Sequence, residues 1–242
     1  MELICLNSRS VGNGYILTNG KEALIIEAGV KPHEVKKKLD FNISIINGVL
    51  VSHGHLDHSK YLKNYLAEGI DVYALADTFL AHETYHHRCR SIVPERTYKA
   101  GNFRFMPFEV PHDAPCVGYL INHPHTGTIL FVTDTYTLDY DFADLSHILI
   151  EANYSDDILQ DNIDSGRLNP IVRDRVFSSH IELESCKDIL RRQDLSKVQN
   201  IVLLHLSDGN SNAKVFKKEI ASLTGKPVYV ADKGLVVELT RY

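Results

Sequence analysis

Three histidines and an aspartate stand within six positions at His53-Gly54-His55-Leu56-Asp57-His58. Imidazole suits Zn²⁺ and other borderline divalent ions, and a carboxylate extends the choice to harder ones. The run Val49-Leu50-Val51 before them has the branched apolar character of a strand buried on both faces. Beyond them, Tyr61, Leu62, Tyr65 and Leu66 recur at the spacing of one helix face. The polar side chains therefore occupy a tight loop at the carboxyl end of a strand. Such a loop can aim His53 and His55 at one ion and Asp57 and His58 at a second. Thirteen histidines in 242 residues make chance pairs common. Chance does not readily place three of them with an aspartate at one strand end. The stretch is read as a metal site.

A related arrangement, an apolar or loosely alternating strand closing on a potential ligand, recurs downstream. Residues 103–110 lead to His112, residues 128–133 to Asp134 and residues 200–204 to His205. A carboxylate at a strand tip can bridge two cations, offering one oxygen to each. His180 stands just before a segment whose Leu183, Cys186, Ile189 and Leu190 share a helix face.

His53-x-His55-x-Asp57-His58 resembles the signature of the metallo-β-lactamase superfamily. Pro111-His112-Asp113-Ala114-Pro115-Cys116-Val117-Gly118-Tyr119 resembles a segment of its WalJ/YycJ-like exonucleases, and the segment around His205 resembles that branch and RNase Z. The resemblance implies an α+β chain folded as a four-layer αββα sandwich, one domain over residues 1–242, with a dinuclear site along one edge. It implies that His53, His55 and His112 hold one divalent ion, that Asp57, His58 and His205 hold the other, and that Asp134 bridges them. Zinc is the expected metal, with manganese the alternative. Lactamases place cysteine where this chain has Asp134, whereas phosphodiester hydrolases of the family use aspartate. The implied catalytic set is Asp57, Asp134 and His180, with His180 matching a histidine that contacts substrate phosphate. Ser179 and Glu182 depart from the motif around that histidine. Glu27 stands where the family has an aspartate behind the histidine-rich loop, so its support is expected with altered geometry.

The elements needed to position these groups follow in order. Strands are expected over 3–6, 14–18 and 23–27, with Asn19-Gly20 as a two-residue hairpin turn between the last two. Residues 8–14 read either as a plain turn or as the loop that approaches the metal centre in nuclease-like relatives. A basic helix over 31–39, strands at 71–75 and 147–154, and a loop or helix start over 155–164 are expected. A final hairpin is expected to join 227–231 to 234–239. The segment His82 to Arg90 carries three histidines and two arginines; it is read as a solvated surface or as a contact for substrate phosphate.

Composition narrows the function classes. A net charge of −5 argues against a broad grip on duplex DNA, which needs a basic face. No apolar run approaches the roughly 18 residues of a membrane span. The start Met1-Glu2-Leu3-Ile4-Cys5-Leu6 lacks the features of a signal peptide, so cytoplasmic residence is expected. The four cysteines are widely spread and are expected to be reduced and packed as small apolar groups. The expected activity is a metal-dependent phosphodiesterase on nucleic acid or nucleotides, either exonuclease-like or acting on cyclic nucleotides. A thioester or lactone hydrolase and a non-catalytic metal-stabilised nucleotide-binding protein are the alternatives. Likeness to RNase Z implies a homodimer.

Overall fold

The computed structural model describes residues 1–169 and 171–240. Two seven-stranded mixed sheets lie face to face. The first is built from β1 (Glu2–Arg9), β2 (Gly12–Thr18), β3 (Ala23–Ile26), β4 (Ile46–Leu50), β5 (Val72–Ala74) and β6 (Cys89–Ser91). The second contains β7 (Tyr98–Ala100), β8 (Phe103–Val110), β9 (Cys116–His123), β10 (Gly127–Val132), β11 (Leu145–Glu151), β12 (Asn200–Leu204) and β13 (Val228–Val230). The last strand, β14 (Val236–Glu238), returns to the first sheet beside β1.

Alternation along the strands explains the four layers. Leu24 and Ile26 face the space between the sheets, where they meet Phe103, Phe105, Tyr119, Phe131 and Leu149. Their neighbour Ile25 points the other way, as the period of two requires. It packs with Val35 of α1 (Pro32–Lys38) and with Leu62, Tyr65 and Leu66 of α3 (Leu62–Ala67). Between those helices comes the short α2 (Leu56–Ser59), and α4 (Ala76–Ala81) adds Phe79 to the same outer layer. On the far side, α7 (Leu183–Arg192) and α8 (Ala213–Thr224) cover the second sheet through Cys186, Ile189, Leu190, Phe216 and Ile220. Between β11 and α7 lie α5 (Asp156–Asp164) and α6 (Ile171–Ser179). The expected αββα sandwich is present.

Three local expectations change. The last two strands are not a hairpin: β13 runs parallel to β12, while β14 is antiparallel to β1 in the other sheet. Asp232-Lys233-Gly234 thus carries the chain across the sandwich. The loop between β2 and β3 has four residues, since Thr18 pairs with Ala23. Gly20 adopts the left-handed φ of 79° there, and Asn19 Oδ1 accepts from the backbone N–H groups of Lys21 and Glu22. Residues 8–14 are mostly strand, with only Ser10 and Val11 outside β1 and β2.

The parallel strands all end on one edge. Glu27 follows β3, His53 follows β4, Asp134 follows β10, Glu151 closes β11 and His205 follows β12. His112 arrives at the same edge from the antiparallel β8. Both sheets therefore deliver polar side chains to one rim.

Candidate metal centre

The loop after β4 turns at once into α2, with His55 as the residue before its first turn and His58 inside it. His53 and His58 are buried, while the side chains of His55 and Asp57 remain 36% and 22% exposed toward the cleft. From the other sheet, His112 Nε2 comes within 3.1 Å of His55 Nδ1, and Asp134 Oδ2 within 3.7 Å of His53 Nε2. The donor atoms of His53, His55, His112 and Asp134 all lie within 4.8 Å of one another. A second group of the same compactness joins Asp57, His58, Asp134 and His205. Seven residues expected at the site thus meet, and Asp134 belongs to both groups.

A third group sharing Asp134 was not expected as a unit: Asp134, Glu151, His180 and His205. His180 Nδ1 lies 2.8 Å from Glu151 Oε1, and the same oxygen lies 3.2 Å from His205 Nδ1. His205 Nδ1 also sits 2.7 Å from Asp134 Oδ1. Glu151 was expected inside a strand over 147–154, and β11 instead ends on it.

Support comes from behind. Glu27 Oε1 lies 3.4 Å from His58 Nδ1, and Glu27 Oε2 accepts from the Ser52 N–H. The longer acid therefore still backs the histidine loop. Asn13 Nδ2 lies 3.0 Å from His58 Nε2, which places part of residues 8–14 beside the centre. Ser8 Oγ accepts from the His205 N–H at 2.8 Å, and Asn153 Nδ2 donates to the His205 carbonyl at 2.7 Å. These bonds hold an unusual backbone: Glu27, Asp134 and His205 have φ of 68°, 49° and 51°. A side-chain-bearing residue in that region stores about 1–3 kcal/mol of strain, which persists only where surroundings fix it.

The segment His82 to Arg90 contributes differently. His82 and His86 join no metal-ligating group among the described residues. His82 Nε2 lies 2.6 Å from Ser59 Oγ, which lies 2.7 Å from the His55 carbonyl oxygen. His82 therefore braces the ligand loop. Arg88 and Arg90 both bind Asp71, each at 2.9 Å.

The charge distribution is that of a cation site. Burial opposes ionisation of Asp134, but His58 and His205 outweigh it and hold the carboxyl well below its ordinary range. Burial likewise opposes a charged His58 and His205. Asp134 first, with Glu27 beside His58, overcomes this: His58 rises well above its ordinary value and His205 to about 10. His53 goes the other way, because burial and the neighbouring His58 favour its neutral form.

Hydrogen bonding gives an independent test of fit. The buried nitrogens His53 Nε2, His112 Nδ1 and His205 Nε2 lack hydrogen-bond partners. Buried polar atoms are normally paired. His53 Nε2 and His205 Nε2 face carboxylate oxygens of Asp134 and Asp57 at 3.7 and 3.6 Å, spacings that leave room for a shared cation. Imidazole nitrogens and carboxylates so arranged fit divalent metal ions. The cleft above them, about 290 Å³, is lined by Ser10, His55, Asp57, Asp113, His180 and the deeper ligands.

Known proteins point the same way. The family model described as "Metallo-beta-lactamase superfamily" matches residues 8–139, more than half of the chain. The exodeoxyribonuclease WalJ of Streptococcus pneumoniae (strain D39) is 25% identical, over 98% of this chain and 91% of that protein. Among solved structures, the metallo-β-lactamase-fold protein YhfI of Bacillus subtilis superposes with a TM-score of 0.73 at 17% identity, covering 98% of this chain and 99% of that one. The short form of human tRNase Z gives 0.65 at 14% identity, covering 99% of each.

Proposed function

The chain belongs to the metallo-β-lactamase superfamily, and from that premise we propose that it is a two-metal phosphodiesterase acting on nucleic acid or nucleotides. The observation that carries this reading is the position of Asp134, a carboxylate common to three donor groups. His53, His55 and His112 would hold one ion and Asp57, His58 and His205 the other, with Asp134 between them. Zinc is the first choice and manganese the second. Residues 1–242 are read as one catalytic unit. The homodimer rests on family resemblance alone.

Divalent ions in such a site acidify water and offset charge developing on a phosphoryl oxygen. The chain's own residues orient and protonate. Glu151 fixes the His180 ring through Nδ1 and leaves its other edge for the cleft. Burial disfavours a charged His180, but Glu151 outweighs it and raises the pKa above the ordinary value. At neutral pH the ring is thereby kept able to donate a proton, as departure of an alkoxide requires. Glu27 and Asn13 hold His58, and Ser8 and Asn153 hold His205, so the ligands are set before substrate arrives.

The test compares wild type and Asp134→Ala, each supplied with zinc or manganese, on end-labelled DNA, 3′,5′-cyclic mononucleotides, a small phosphodiester and an acyl thioester. Turnover of a phosphodiester by wild type alone supports the reading. A folded Asp134→Ala protein that keeps wild-type turnover overturns the ligand assignment, and hydrolysis confined to the thioester overturns the phosphodiesterase.

A further inference from the structure

The turn between β1 and β2 has two sides. Ser10 lines the metal cleft, while Val11 and Gly12 wall a second cavity of about 650 Å³. The two are close neighbours. Gly29 lines the cavity and donates its N–H to the Asn13 carbonyl, and the Asn13 side chain reaches His58. Gly29 is there because nothing larger fits: a Cβ would stand 1.8 Å from the Asp57 carbonyl oxygen.

Charge distinguishes this cavity from the rest of the molecule. Lys31, Lys37, Lys38 and Lys233 line it with one carboxylate, Glu34. Four minus one leaves three positive charges in a chain whose net charge is −5. Lys37 is loosely paired with Glu34 at 3.5 Å. The ammonium groups of Lys31, Lys38 and Lys233 have no carboxylate partner among the described residues. Three unpaired ammonium groups gathered on one groove form a focused positive field, which is the requirement for attracting a polyanion. The nearby Asp232 is engaged by Arg9 at 3.3 Å.

Apart from Asn7, the remaining side chains of the wall are apolar or aromatic. Val11 is 79% exposed, the most open of the large aliphatic side chains among the described residues, and the partly buried Val30 and Tyr61 extend the surface. A ligand suited to this groove carries several negative charges and also offers flat apolar faces. A single-stranded polynucleotide has both, since its bases are free to stack on an aromatic ring while its phosphates meet lysines. A duplex hides its base faces in the stack. A mononucleotide has one phosphate, and the metal cleft alone satisfies it.

We propose that this lysine groove binds single-stranded polynucleotide, so that a strand whose end lies in the metal cleft continues past the Val11–Gly12 turn across Lys31, Lys38 and Lys233. The placement of the strand's end rests on the phosphodiesterase reading; binding in the groove does not.

The experiment measures fluorescence anisotropy of a labelled phosphorothioate DNA oligonucleotide with the metal-loaded protein across a salt series. The combined variant Lys31→Gln, Lys38→Gln, Lys233→Gln is compared with wild type. The variant is expected to bind about tenfold or more weakly, and the slope of log affinity against log salt to flatten by about 2, since each phosphate contact on a single strand contributes about 0.7. Its turnover of a small phosphodiester is expected to stay at the wild-type level, which also shows that the variant folds. Unchanged affinity and slope overturn the proposal. Inorganic polyphosphate competing as well as the oligonucleotide does so too, because charge alone would then explain the groove. A wild-type protein that hydrolyses no phosphodiester removes the phosphodiesterase reading, and the binding arm still decides the groove.

Discussion

The sandwich holds histidine–carboxylate clusters on both of its edges, and they differ in one respect. On the edge away from the metal centre, Glu22 before β3 meets His123 at the end of β9. His123 Nε2 lies 3.0 Å from Glu22 Oε1, and His123 Nδ1 accepts from the His125 N–H. Asn102 donates to Glu22 through both backbone and side chain, and Asn47 adds a fourth bond. Every polar atom of that pair is satisfied. At the metal edge the same residue types leave the buried His53 Nε2, His112 Nδ1 and His205 Nε2 without partners. Chemistry is available where buried donors converge unsatisfied; a saturated cluster fastens one sheet to the other.

Metal removal is the largest test of that difference. Chelation should lower the melting midpoint of wild type, and zinc in about hundredfold excess over its Kd should restore about 2.7 kcal/mol of stability. A Glu22→Gln protein should show the same zinc-dependent increment, whereas Asp134→Ala should lose most of it. A melting midpoint indifferent to chelator and zinc in wild type would erase the distinction between the edges.

A smaller effect is expected at the rim of the centre. His180→Gln should lower kcat by about 10²-fold, the lower range for loss of a positioned acid, with KM and the zinc increment nearly unchanged. Loss of the zinc increment in this variant would move His180 into the ligand set. Glu151→Gln is the companion change. It should move the alkaline limb of the kcat–pH profile to lower pH, because His180 acts protonated and Glu151 is what raises it against burial.

What was legible in the sequence was local. His53, Asp134 and His205 each stand just beyond an apolar run, so strand and strand-end residue are read together, while the ligand roles of Asp134 and His205 come from the family resemblance. Partner choice was not legible. Residues 227–239 present two short strands around a turn, which is a hairpin by local rules, yet Val228 pairs with Ile201 and Val237 with Leu3. The helix α8 carries only a faint local signal, a cap at Asn212 and the buried Phe216 and Ile220 one turn apart. The expected strand over 147–154 puts Glu151 in its middle, whereas β11 ends on it, and its contact with His180 spans 29 positions that only the fold brings together. The lysine groove was equally hidden, since Lys31 precedes α1, Lys38 ends it and Lys233 comes from the crossing to β14.

The smallest expected effect concerns the saturated edge, and it has a defined pH window. Burial works against the Glu22 charge, but hydrogen bonds from Asn102 and His123 outweigh it and pull the carboxyl from 4.5 down to about 2. A carboxyl with a depressed folded pKa binds its proton more readily in the unfolded chain. Its contribution is therefore complete above pH 4.5 and is lost as the pH falls from there through about 2. Glu22→Gln should cost about 1.5 kcal/mol at neutral pH, the size of hydrogen bonds to a charged group. Urea unfolding of the two proteins should show that gap narrowing across the same window while zinc-dependent turnover stays at wild-type level. A gap that holds constant down to pH 2 would mean that the edge is fastened by shape and not by charge.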